Sequence, residues 1–121
     1  MDAEFMIVLT TAPDEAAAER LARDITEERL AACVTVLPPG RSFYWWEGKL
    51  VAESEIMLVI KTRGALYDKV EARLRALHPY SVPEVIALPV VRGSDAYLRW
   101  LNEETKSGTS GAGPGPPRES C

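Results

Sequence analysis

Runs of strand period and stripes of helical period succeed one another along the chain. Residues Phe5-Met6-Ile7-Val8-Leu9-Thr10-Thr11 form a continuous apolar run of strand formers, short enough to be a buried strand. Thr11-Ala12-Pro13-Asp14-Glu15 follows, and its hydroxyl cap, first-turn proline and two acids predict a helix start. That helix carries Ala18, Leu21, Ala22, Ile25 and Leu30 along one side, with charges such as Glu19, Arg20, Arg23 and Glu27 on the other.

Residues 32–37 return to strand character, break at Pro38-Pro39-Gly40, and resume through Ser42-Phe43-Tyr44-Trp45-Trp46. Glu47-Gly48 predicts a tight turn, with Gly48 able to take positive φ. The return strand is expected over residues 49–63, with Ile56, Leu58 and Ile60 facing one way and Glu53, Glu55, Met57, Val59 and Lys61 the other. After Gly64, the spacing of Leu66, Val70, Leu74 and Leu77 predicts a second helix, ended by His78-Pro79. Residues 84–91 predict a last strand, which Pro89 places at an edge. Ser94-Asp95 then caps a short helix carrying Tyr97, Leu98, Trp100 and Leu101. The order βαββαβ with a terminal helix predicts an α+β, ferredoxin-like fold, an antiparallel sheet with two helices on one face.

Length and composition bound the picture without changing it. The 121 residues make one domain. The folded unit is expected at 1–105, followed at 106–121 by a flexible tail in which seven of sixteen residues are Gly or Pro. The net charge of −4 argues against nucleic acid as a partner, and no apolar run is long enough to span a membrane. The acidic start Met1-Asp2-Ala3-Glu4 lacks the basic character of a signal peptide, and Cys33 and Cys121 make no CxxC pair and no disulfide-dense framework. A soluble, cytoplasmic protein is the expectation.

Two features predict self-association. The first and last strands are apolar on both faces, whereas a sheet covered on one side ordinarily alternates. The hairpin arms, about 15 residues or roughly 50 Å each, also outrun the other strands. Their overhanging tip, Phe43-Tyr44-Trp45-Trp46, is a dense aromatic patch of interface type. Strand pairing between copies would satisfy this edge and bury the rings.

Three blocks carry a resemblance to a known family: 11–34, with Thr11-Ala12-Pro13-Asp14-Glu15 and Leu30-Ala31-Ala32-Cys33-Val34; Tyr44-Trp45-Trp46-Glu47-Gly48-Lys49 with Lys61-Thr62; and His78-Pro79-Tyr80-Ser81-Val82-Pro83-Glu84 with Tyr97 and Trp100-Leu101. In these the chain resembles the CutA family of divalent-cation tolerance proteins. The resemblance implies a ferredoxin-like homotrimer, arranged like the PII signalling proteins, and a role in tolerance to copper and other divalent metals. Two departures stand out: Thr35 where the family commonly has Asn, and Thr10 where some members carry a metal-binding Cys.

His78, the single histidine, with Glu84 and Cys33 would make a mixed N/O/S set suited to Cu(II) or another divalent metal, weakly held. The plainer alternatives are a helix-terminal histidine packed on Pro79 and a cysteine serving as a small hydrophobe. Trp46, Lys61, Tyr80 and Glu84, together with Glu47, are candidates for a ligand cleft between subunits. Their structural alternatives are an interface anchor, a rim ion pair, a core phenol, a cap and a turn residue.

Enzymatic readings find little support. The loop after the first strand has two acids and no glycine, unlike a phosphate cradle. The tight Glu47-Gly48 turn leaves no room for a long nucleotide-sensing loop. The leading expectation is therefore a homotrimeric, metal-responsive binding protein and not an enzyme. The alternatives are a PII-like module binding a small metabolite, and a trimeric scaffold for a partner protein.

Overall fold

A computed structural model describes residues 3–106. The elements are β1 (Phe5–Ala12), α1 (Glu15–Glu27), β2 (Cys33–Val36), β3 (Gly40–Trp46), β4 (Lys49–Arg63), α2 (Tyr67–Leu77), β5 (Ile86–Pro89) and α3 (Asp95–Glu104), with a 3-10 turn at Gly64–Leu66. The sheet order is β2-β4-β1-β5, with β3 on the far part of β4, and every pairing is antiparallel. This is the expected α+β, ferredoxin-like arrangement, with β5 at an edge as Pro89 requires. Of the expected tail at 106–121, all but Lys106 lies outside the described residues.

One face of the sheet makes the core. Val8, Ile56, Leu58 and Ile60 pack against Ala18, Leu21 and Ile25 of α1 and Val70 and Leu74 of α2. Because side chains alternate along a strand, these even-numbered positions set the register against both helices. Thr10 shares this buried face, and its hydroxyl is the one buried side-chain oxygen without a partner among the described residues.

The other face is open. Register places Ile7 beside Leu88, Leu9 beside Ile86 and Val59, and Lys61 beside Cys33. Ile86 and Leu88 are each about half exposed in the single chain. Beyond residue 56 of β4 no β1 partner remains, so Lys49–Glu55 and β3 continue alone as a two-stranded ribbon. Glu47 and Gly48 close it, both at positive φ, so the turn strains a non-glycine residue as well as using the glycine.

Several boundaries differ from the sequence expectation. Thr11 does not cap α1; pairing with Met57 holds it in β1. Asp14 caps instead, its carboxylate accepting from the Ala17 amide at 2.8 Å. The helix stops at Glu27, short of Leu30, and Arg29 turns the chain at φ 59°. The final strand shrinks from 84–91 to Ile86–Pro89, since only Met6–Leu9 of β1 pair with it.

α3 closes the end of the domain. Its N-cap Ser94 accepts from the Tyr97 amide, and Leu101 is buried. Arg63 of β4 donates to the Thr105 hydroxyl at 2.7 Å and to its carbonyl at 3.1 Å, while Arg29 donates to the Glu104 carbonyl at 3.1 Å. The helix thus ties the exit of α1 to the end of β4.

Candidate functional site

Where β1 and the main sheet end, the ribbon and the loop after α2 enclose a cleft of about 630 Å³. Ser42, Phe43, Tyr44 and Trp46 come from β3, Glu55 from β4, Thr11 from β1, and Tyr80, Ser81, Val82 and Glu84 from the loop. Strand parity brings Ser42, Tyr44 and Trp46 to one side of the ribbon, while Phe43, opposite Ala52, has the other parity. Tyr44 and Trp46 lie opposite Val51 and Lys49, on the same side of β4 as Glu55.

Glu55 is the polar centre of the cleft. One carboxylate oxygen accepts from the Tyr80 hydroxyl at 3.0 Å and from the Thr11 hydroxyl at 3.2 Å. Behind it His78 latches the loop to the sheet. Its Nδ1 accepts from the Tyr80 amide at 3.1 Å, which leaves Nε2–H to donate to the Thr11 carbonyl at 2.6 Å. The imidazole is buried and its ring lies 4.8 Å from that of Tyr80. As residue before proline, His78 is extended at ψ 137°, and this swings the chain from α2 towards the cleft.

Desolvation and the nearby carboxylates together favour the neutral phenols. Desolvation first, then the hydrogen bond to Glu55 and its charge, push the Tyr80 phenol up to about 12. Desolvation, with Glu53 and Glu55, raises Tyr44 in the same direction. A phenol whose folded pKa exceeds the ordinary value of 10 contributes its stability in full below pH 10, and loses it as the pH climbs towards 12. A ring-proton NMR titration should therefore find Tyr80 still protonated at pH 11 (about ten protonated rings for each phenolate). Glu55→Gln should bring the midpoint down. Ionisation of Tyr80 near pH 10 in the unmodified protein would contradict this network.

Trp46, Tyr80 and Glu84 are thus brought to one cleft of the single chain. Lys61 is not. It lies on the open face beside β2, donating to the Thr35 hydroxyl at 3.1 Å and towards the Cys33 sulfur at 3.6 Å. Glu47 sits in the hairpin turn and does not line the cleft. Glu55 and Thr11, which organise the polar network, were not among the candidates. Their signal was available, as polar residues ending the apolar stretch of two strands that pair.

The metal-ligand candidates do not converge. Among the described residues no three His, Cys, Asp or Glu side chains come together as a metal site. Both nitrogens of His78 are already hydrogen-bonded, and Cys33 packs beside Lys61 on the sheet. Within one chain, His78, Glu84 and Cys33 do not fit a shared metal ion.

Comparison with known proteins agrees with the fold. The chain matches the family described as CutA1 divalent ion tolerance protein over residues 6–104. It is 46% identical over 99 residues to the divalent-cation tolerance protein CutA of Thermus thermophilus, covering 82% of this chain and 96% of that one. It is also 46% identical over 102 residues to the chloroplastic CutA protein of Arabidopsis thaliana, covering 84% of this chain and 56% of the relative. The crystal structure of CutA from Xylella fastidiosa superposes with a TM-score of 0.84 at 43% identity, covering 86% of this chain and all (100%) of the other. That of CutA1 from Oryza sativa gives 0.84 at 44% identity, covering 88% and 97%. With its motifs, its fold and a match across nearly all the described residues, the chain belongs to the CutA1 divalent ion tolerance family.

Proposed function

We propose that the chain works as a homotrimeric binding protein in the response to divalent metal ions, not as an enzyme. The observation that carries the assembly is the overhanging ribbon. Among the described residues β3 pairs only with β4, so its outer backbone edge is open. On the ribbon Phe43, Trp45 and Leu50 are 62%, 72% and 64% exposed, an apolar load that a lone domain does not leave in water. A second copy offers the matching partner, since β2 also has one free edge. Pairing would extend the sheet and cover apolar positions on its open face.

Copper, in this reading, is held weakly. Ligation by His78 must break one of its two hydrogen bonds, and no companion ligands converge within the chain. Native mass spectrometry of the purified protein with added copper(II) tests both statements at once. Trimers that lose copper on dialysis are the expected result. A stoichiometric metal retained on a monomer would overturn the proposal.

The cleft favours a second reading, a PII-like module that binds a small molecule beside the hairpin. Its volume suits a metabolite, and its aromatic walls with a few placed polar groups are what such sites require.

A further inference from the structure

The composition of the cleft wall selects a class of ligand. Three aromatic rings, Tyr44, Trp46 and Tyr80, meet two carboxylates, Glu55 and Glu84, and among the described residues no Lys, Arg or His lines the cavity. An anionic metabolite would meet carboxylates with no counter-charge. A neutral one could hydrogen-bond to Glu55 but would leave the two carboxylate charges uncompensated. Only one oxygen of Glu55 is engaged, by Tyr80 and Thr11, so the carboxylate keeps capacity for a ligand.

We propose that this cleft takes an organic cation, an alkyl- or arylammonium group that rests on the aromatic faces and pairs with Glu55. The inference rests on the reading of the cleft as a ligand site, and adds the ligand's charge to it. Ring faces carry negative potential and attract cations, most strongly where water is partly excluded. The ribbon already makes one such contact: the Arg41 guanidinium sits 5.3 Å from the centre of the Phe43 ring. Glu53 adds to the field, for after desolvation its charge and that of Glu55 contribute to raising the phenols of both Tyr44 and Tyr80. The basic neighbours on the ribbon, Arg41 and Lys49, stay outside the lining. A bare divalent ion is a poor alternative, because among the described residues no trio of ligands converges there.

The full-length protein would be titrated with benzyltrimethylammonium chloride, benzyl alcohol and sodium benzoate in parallel. Amide and indole NMR shifts of Trp46, Tyr80 and Ser81 would report the cleft. The cation should bind about tenfold more tightly than the alcohol, with benzoate weakest. Glu55→Gln, which keeps an acceptor for Tyr80 and Thr11, should cost the cation about tenfold and leave the alcohol unchanged. If Glu55→Gln impairs folding, the exposed Glu84→Gln replaces it, with a smaller loss for the cation alone. Equal or tighter binding of benzoate or benzyl alcohol in the cleft would overturn the cation proposal while leaving the cleft a ligand site. Absence of shifts with all three probes would overturn both.

Discussion

His78→Ala is expected to lower the stability of the folded chain by about 2–5 kcal/mol. The ring is buried and bridges two backbone groups that belong to different elements, the Thr11 carbonyl at the end of β1 and the Tyr80 amide after α2. Truncation strands both, and each unsatisfied buried group costs about 1–3 kcal/mol. It also removes the ring that packs on Tyr80. Urea unfolding of the two proteins measures the difference. His78→Gln, able to renew one of the bonds, should lose less than the alanine variant. A loss below about 0.5 kcal/mol for His78→Ala would show that the latch carries no load, and would return the histidine to a purely ligating role.

Removing the chain from Asp95 onward should have the larger effect. Leu101 is buried, and burial of such a side chain is worth about 1.5–3 kcal/mol. Tyr97 and Trp100 are partly buried, with ring centres 5.6 Å apart, and add a comparable amount between them. Arg63 would lose its bonds to Thr105, and Arg29 its bond to the Glu104 carbonyl. A total on the order of 5 kcal/mol approaches the whole stability of a small domain. The shortened chain should therefore show a strongly lowered Tm or fail to fold. A control ending at Lys106 should keep the Tm of the full chain. Similar curves for all three proteins would mean that α3 is not part of the cooperative unit.

The sequence was most legible where one interaction dominates. The period-two burial of Ile56, Leu58 and Ile60 and the helical stripe of Val70 and Leu74 need only a sheet and two helices to satisfy them. Boundaries slipped where a local signal met a tertiary one. Thr11 is a good N-cap residue, yet its pairing with Met57 and its bond to Glu55 keep it in the strand. The apolar stretch at 84–91 promises a long strand, but β1 offers partners only from Met6 to Leu9. The cleft was half legible. The aromatic tip and the loop after His78 were marked, while Glu55 passed for one of several outward charges on a strand. Lys61, expected with them in a cleft between subunits, does not join them within the single chain. Its parity matches that of Glu55, but six residues along a strand amount to about 20 Å, too far to share one cavity. Among the described residues of the single chain His78, Glu84 and Cys33 do not group as ligands either, since residue type carries no information about what already occupies a side chain's hydrogen bonds.

Assembly through the hairpin is the central claim, and it rests on the open edge of β3 and the exposed rings beside it. Light scattering of the full chain at low micromolar concentration, under reducing conditions so that Cys121 makes no cross-links, tests it most directly. The account predicts a single species of about three times the chain mass of 13.3 kDa, shifted towards smaller species by Trp46→Ala. A stable, folded monomer of 13.3 kDa would contradict it.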